Sequence, residues 1–530
     1  MSAPATDLTL GPDRALSCMA LEEAACRSEP VLHLTEAARH ALALSFENFA
    51  ALRRRGDPVY GLTTGFGPLV AYPSAGGGGT AHGMALIAHL AAGCGPLAPA
   101  PVVRATMIAR ANVLIQGSSG IAPDVLESYL DLLRRGVVPA VPEIGSVGAS
   151  GDLIPLAHIA RVLAGQGEAL TLEALSQKAL TQGGRPVPAA DALREAGLQA
   201  VSLEGRDALG LVNGTSFMTA FAALAVARTE RLLVRAEGLT GWAYRLLRCR
   251  RQALDPRLHR ARGYAGQCQS AEAIGAAIED TQAEDEARPL QEVYSLRCAP
   301  QILGACRDQV AYARRQIETE LNGVNDNPVI VGSPENDDLA ALHGGNFQGQ
   351  QIAFAADALS AALTQAANLA ERQLDVLLNP RWNGGASPLL AWEPGATSGL
   401  AGAQITATAL VAEMRLHTQA HAVSSLPTNG GNQDIVSMGT AAARTAYYQA
   451  ERLASILAIL SMALAQLNFL RQQGRAPGAP SFLPPWMPDF APLTDDRALR
   501  HDIDRIAAAW LQPPAEETNV AGEMGTDSSL

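Results

Sequence analysis

The stretch TAYYQAERLASILAILSMALAQLNFL, residues 445–470, decides the architecture. Leu453, Ile456, Leu457, Leu460, Leu464 and Leu467 recur there at helical spacing, with small residues around them. A helix that is apolar nearly all round has no face to offer water, so it belongs at the centre of a bundle or an oligomer. Residues 213–237, 350–375 and 400–417 read the same way. The polar residues spaced through 352–370, Asp357 among them, suit a protein interior better than lipid. The expected fold class is therefore mainly α, a long central helical bundle with few short strands, the best of them near 186–188 and 329–331.

Upstream of the bundle the pattern is shorter and more broken. Helices are expected over 34–55, 82–92, 101–115 and 123–135, while residues 1–30 look loosely structured. Tyr60 to Gly67 reads as a Gly-rich turn segment and Gly76–Gly79 as a flexible run. Pro139 to Gly151 interrupts the helices as a structured loop leading into another one. Downstream, Gly474 opens a proline-rich connection (Pro477, Pro480, Pro484, Pro485, Pro488, Pro492), then one short helix and a polar tail from about residue 512. These shifts divide the chain into an N-terminal domain 1–206, a central bundle 207–473 and a C-terminal extension 474–530.

Composition narrows the chemistry. Apolar residues make up 48% of the 530 and charged residues 17%, so some helix faces are expected to be covered by sister subunits. A net charge of −12 excludes the basic field that a nucleic-acid binder needs. Lys178 is the single lysine, in a polar stretch before Gly183, where a solvated loop residue is expected. That speaks against pyridoxal phosphate and Schiff-base chemistry, which need a lysine amine. Seven scattered cysteines without a Cys-x-x-Cys pair indicate neither a zinc site nor a disulfide framework. No basic segment followed by an apolar run opens the chain. The expectation is a soluble cytoplasmic enzyme without metal, soluble cofactor, nucleic-acid partner or membrane.

The segment Gly145-Ser-Val-Gly-Ala-Ser-Gly-Asp-Leu153 carries the most chemical information. It reads as an ordinary Gly-rich turn, or as a serine-hydrolase elbow, although Asp152 stands where that elbow needs its second glycine. A third reading is a self-made electrophile. If the backbone bends tightly, the Gly151 nitrogen can attack the Ala149 carbonyl, an approach only small residues permit. Loss of two waters, one involving the Ser150 hydroxyl, then leaves 4-methylidene-imidazol-5-one.

That segment resembles the prosthetic-group loop of the histidine/phenylalanine/tyrosine ammonia-lyase family. The family's other signatures stand in the same order: Tyr60-Gly-Leu-Thr-Thr-Gly-Phe-Gly67, Leu211-Val-Asn-Gly-Thr215, Tyr294-Ser-Leu-Arg-Cys-Ala-Pro-Gln301, Asp326-Asn-Pro328, His343-Gly-Gly-Asn-Phe347 and Asn432-Gln-Asp434. Together they span about seven-tenths of the chain. The resemblance implies a homotetramer with each active site drawn from three subunits. It also implies elimination of ammonia from an aromatic amino acid, with the methylidene group capturing the amine so that it leaves more readily.

The resemblance assigns roles residue by residue. Tyr60 is the lid-borne base for the β-proton, a task for which a phenol of pKa near ~10 needs a stabilised anion. Arg297 matches the bidentate partner of the substrate carboxylate, in place of the structural ion pair expected of an arbitrary arginine. Asn213 and Tyr294 match hydrogen-bonding neighbours of the ring and the amine, and Phe347 an aromatic beside the ring. Gly67, Asn429, Asn432 and Gln433 are expected to line the substrate, and Asp152 to assist ring formation. The pair His89-Leu90, ahead of Gly93-Cys94-Gly95, is similar to that of tyrosine lyases. A histidine nitrogen can bond a phenol hydroxyl, and Gln433 stands where histidine lyases resemble Glu. His82-Gly-Met-Ala85 and Thr397-Ser-Gly-Leu-Ala401 depart from the family pattern and are expected to reshape the aryl pocket.

The resulting expectation is deamination of L-tyrosine, with L-phenylalanine as a second substrate, giving trans-p-coumarate or cinnamate. Tyrosine 2,3-aminomutase and histidine ammonia-lyase are the alternatives within the family. An inactive helical scaffold, which would carry no ring, is the alternative outside it.

Overall fold

The computed structural model describes residues 7–171, 185–278, 288–478 and 483–513, so Lys178 and the end of the polar tail lie outside the described residues. Four long helices form the centre: Ser216–Leu247, Ala299–Asn322, Gln350–Leu378 and Gly439–Gln472. The last is long and apolar enough to cross a membrane, but 89% of its most apolar window is buried inside the protein. Alanines at 443, 446, 450, 454 and 458 are fully buried and let neighbouring helices approach closely. Phe217, Phe221 and Tyr447 add edge-to-face contacts, with centroids 5.1 and 5.4 Å apart. One hydrophobic core runs from Leu10 to Trp510.

Most expected helices form within a few residues of their predicted limits, among them Glu36–Arg55, Thr80–Leu90, Ala100–Leu114, Pro123–Arg134 and Ala401–His417. The strands Val187–Pro188 and Val329–Val331 also form. Three regions differ. The first thirty residues are structured where described: Leu8–Leu10 pairs in parallel with Leu32–Leu34, and Cys18–Cys26 is a helix capped by the Ser17 side chain. That helix buries Glu22 against Arg231, with N···O 2.6 Å, a partner more than two hundred residues away. Ala75–Gly78 forms a turn of 3-10 helix, with Gly78 at φ +75° close against Leu62. The 24-residue helix Ala299–Asn322 was not anticipated.

A two-stranded sheet positions the site. Cys94–Leu97 runs antiparallel to Pro142–Ile144, with Cys94 opposite Ile144 and Leu97 opposite Pro142. It sets the chain just after His89-Leu90 beside the chain just before Gly145–Asp152. The Gly93 N–H, donating to His158 Nε2 at 3.3 Å, ties the same segment to helix Leu153–Leu163.

Candidate active site

The Ala149-Ser150-Gly151 loop is bent back on itself, with Ala149 and Gly151 paired as an isolated bridge and Gly151 paired in turn with Gly214. Gly148 and Gly151 take φ of +69° and +65°, the left-handed region that glycine tolerates. A Cβ on Gly151 would lie 2.1 Å from the Gly214 carbonyl oxygen, so no larger residue fits there. Ser146 braces this bend locally, and the other anchors come from afar. The Asp152 N–H donates to Gly214 O at 2.7 Å and the Met438 N–H to Val147 O at 3.0 Å. Ser437 Oγ donates to Gly148 O at 3.3 Å.

Asp152 is fully buried, and three donors converge on its carboxyl: Ser146 Oγ at 2.8 Å, Thr440 Oγ1 at 2.6 Å and the Met218 N–H at 2.8 Å. Burial pushes its pKa up, and these hydrogen bonds only partly offset the effect. A carboxyl that holds a proton more readily than usual, directly after the bent tripeptide, suits a group that must give and take protons during dehydration. The uncyclised chain thus fits the expected ring: the glycine cradle admits no side chain, and the buried Asn213 Oδ1 has no hydrogen-bond partner.

Tyr60 stands on the opposite wall. Its hydroxyl accepts the Gly67 N–H at 2.7 Å, and its ring packs edge-on to Phe66, which stacks on His82 at 4.4 Å. Burial raises the phenol pKa, and the Gly67 N–H works against the rise. His82, in the segment that departs from the family pattern, thus meets the Tyr60 loop through Phe66.

A cavity of about 450 Å³ lies between the two walls. It brings together Tyr60, Gly67, His89, Leu90, Ser150, Asn213, Phe347, Asn429, Asn432 and Gln433, ten residues singled out from the sequence. Gln433 Nε2 donates to Ser150 Oγ at 3.0 Å, and Asn429 Nδ2 to Gln433 Oε1 at 2.8 Å. In the expected ring this Ser150 hydroxyl would be the group lost as water. His89 Nδ1 lies 3.0 Å from the Ala85 carbonyl, which can only accept, so Nδ1 carries the proton. A neutral ring then keeps a lone pair on Nε2.

Tyr294 and Arg297 do not join this cavity within one chain. They sit on a four-residue helix, with Arg297 over the Tyr294 ring at 4.6 Å, beside a separate cavity of about 500 Å³ that Arg297 lines. Tyr294 is 69% exposed, and the buried Arg297 Nε has no hydrogen-bond partner. Among the described residues no Asp, Glu, Lys or Arg lines the Tyr60 cavity. Thr397–Ala401 also stands elsewhere, with the Ser398 and Gly399 N–H groups donating to Asp496. Asn327 and Phe66 line the cavity without having been singled out. Asn327 lies inside a quoted motif, whereas nothing near Thr440 in the sequence signals its bond to Asp152. Among the described residues no cluster of His, Cys, Asp and Glu is arranged to hold a metal.

Residues 16–483 match the family described as aromatic amino acid lyase. The chain is 40% identical over 502 residues to a tyrosine ammonia-lyase of Cereibacter sphaeroides, covering 90% of this chain and 93% of that one. It is 37% identical over 466 residues to a histidine ammonia-lyase of Geobacillus kaustophilus, covering 87% and 88%. Among solved structures, a tyrosine aminomutase from Streptomyces globisporus superposes with TM-score 0.84 at 32% identity, over 95% of this chain and 97% of that one.

Proposed function

The chain belongs to the aromatic amino acid lyase family, and from that premise we propose that it eliminates ammonia from L-tyrosine to give trans-p-coumarate, with L-phenylalanine as a second substrate. The observation that carries this reading is the single cavity in which Tyr60, Ser150 and His89 meet. The 4-methylidene-imidazol-5-one made from Ala149, Ser150 and Gly151 supplies an electrophile for the substrate amine. Tyr60 takes the β-proton as a phenolate, and the Gly67 N–H steadies the negative charge its oxygen carries before the transfer. Asn213, with its unpaired Oδ1, and the Asn429–Gln433 pair hold the amine end. Phe347 and Leu90 give the aryl ring apolar walls. His89 Nε2 accepts the phenol hydroxyl, an acceptor left unpaired when phenylalanine binds instead.

An amino-acid carboxylate needs a cation, and among the described residues the cavity of one chain offers none. Arg297, with an unpaired Nε at the edge of another cavity, supports a site completed by a neighbouring copy. Exposed Ile405, Leu416, Val423, Leu426 and Ile435 support the same assembly, since a lone soluble chain seldom leaves so much apolar surface open. We read the assembly as a cytoplasmic homotetramer. In it the N-terminal domain 1–206 carries ring and lid, the bundle 207–473 braces them, and, of the extension 474–530, helix Arg500–Leu511 packs against the bundle.

Likeness to a tyrosine aminomutase supports a second outcome on the same site, return of ammonia to the β-carbon. Incubating the purified protein separately with L-tyrosine, L-phenylalanine and L-histidine, while following near-ultraviolet absorbance and separating products, tests both. We expect p-coumarate from tyrosine to dominate. β-Tyrosine as the principal product overturns the lyase in favour of the mutase, and urocanate as the dominant product overturns the tyrosine assignment.

A further inference from the structure

We infer that His343 is a positioning residue for Tyr60, fixing where the phenol stands when the β-proton is removed; the inference rests on the elimination proposed above. Tyr60 is held at two points. Its hydroxyl accepts the Gly67 N–H, but Gly67 belongs to the same loop and travels with it. Its own backbone N–H donates to His343 Nε2 at 3.1 Å, across 283 residues of sequence. Accepting that bond requires a neutral imidazole with its proton on Nδ1.

The segment carrying His343 is fixed independently of the lid. Strand Ala340–Leu342 pairs antiparallel with Val329–Val331. The Gly344 N–H donates to Asn327 Oδ1 at 2.8 Å, and Asn346 Nδ2 to Val324 O at 3.2 Å. Asn327 and Phe347 both line the substrate cavity. His343 therefore references the Tyr60 backbone to the cavity wall, whereas the Gly67 bond references the phenol only to its own loop. Because the imidazole meets the backbone and not the phenol, it acts on the position of the base and carries no proton for it. A second cavity of about 440 Å³, lined by Tyr60, Asn327 and His343 among others, lies on this side. His343 is exposed, so replacing it leaves the core intact.

The test compares full-length wild type, His343→Ala and His343→Gln. Intact mass first establishes that all three have lost about two waters. Turnover is then measured with L-tyrosine and with L-tyrosine deuterated at the β-carbon. For His343→Ala we expect kcat to fall by about tenfold or more, KM to stay within about twofold, and the deuterium effect on kcat to grow, because a misplaced base slows proton removal. Glutamine offers an oxygen acceptor and should restore most of the rate and the smaller isotope effect. An unchanged kcat in His343→Ala overturns the inference. So does an equal loss in both variants with an unaltered isotope effect, the mark of a merely structural role. A wild type that forms no acrylate overturns the proposed function and this inference together, a failure told apart by the wild-type rate itself.

Discussion

The two walls of the cavity are built on opposite principles. Around Ala149–Asp152 the anchors, Ser146 apart, are long-range and mostly buried, reaching Gly214, Met218, Ser437 and Thr440. Around Tyr60–Tyr72 they are mainly local: Gly65 N–H to Tyr72 O at 2.9 Å, Leu69 N–H to Phe66 O at 3.0 Å, Ser74 N–H to Thr63 O at 3.1 Å. Leu69 and Tyr72 are 58% and 65% exposed on the lid side, whereas Asp152 is fully buried on the other. An electrophile made from the backbone needs the whole fold to force its shape. A base that must admit substrate and release product needs a segment that can part from the fold at little cost.

The largest test of that contrast is Gly151→Ala. With Gly214 O in the way and φ at +65°, the bend should not close; intact mass should show the two waters retained, and turnover should drop to background. A dehydrated, active Gly151→Ala protein would break the account of the buried wall. On the lid side, Tyr60→Phe should leave the mass loss untouched while lowering kcat by about 10²–10⁴-fold. Near wild-type turnover would remove Tyr60 as the base. His89 precedes the sheet that sets its segment beside the Ala149 loop, and it lies outside both walls, so its substitution should alter choice more than rate. His89→Phe should lower the tyrosine-to-phenylalanine ratio of kcat/KM by about ten- to a hundredfold, and an unchanged ratio would disqualify it. The smallest effect concerns pH. Burial raises the Tyr60 phenol above its ordinary value and the active form is the deprotonated one, so kcat/KM should climb by up to about tenfold per unit between about pH 7 and 9. A flat profile would mean that the lid supplies no such group.

Periodicity found the long helices because their burial is one-sided or complete over many turns. It missed Cys18–Cys26, nine residues whose place depends on Glu22 meeting Arg231, a pairing only the folded chain creates. It missed Ala299–Asn322 because six charged residues blur an apolar face that is nonetheless buried through Leu303, Val310, Ile317 and Leu321. In the candidate site the motifs marked the residues that line the cavity. The contacts that hold those in place were not legible: Thr440 and Ser437 on Asp152 and Gly148, and His343, itself within a motif, behind Tyr60, meet their partners across roughly 280–290 positions. Arg297 illustrates a different gap. Its motif implied a carboxylate partner, but no single chain brings it to the Tyr60 cavity.

The bond from Thr440 to Asp152 has a consequence in time. Ribosomes deliver residue 152 long before residue 440, so a nascent chain holds the tripeptide well ahead of the helix that braces it. Maturation should therefore trail synthesis. Freshly released protein would pass through an interval before the ring closes, and a chain cut short before Thr440, which lacks the central helix Gly439–Gln472 as well as the Asp152 partner, would never mature.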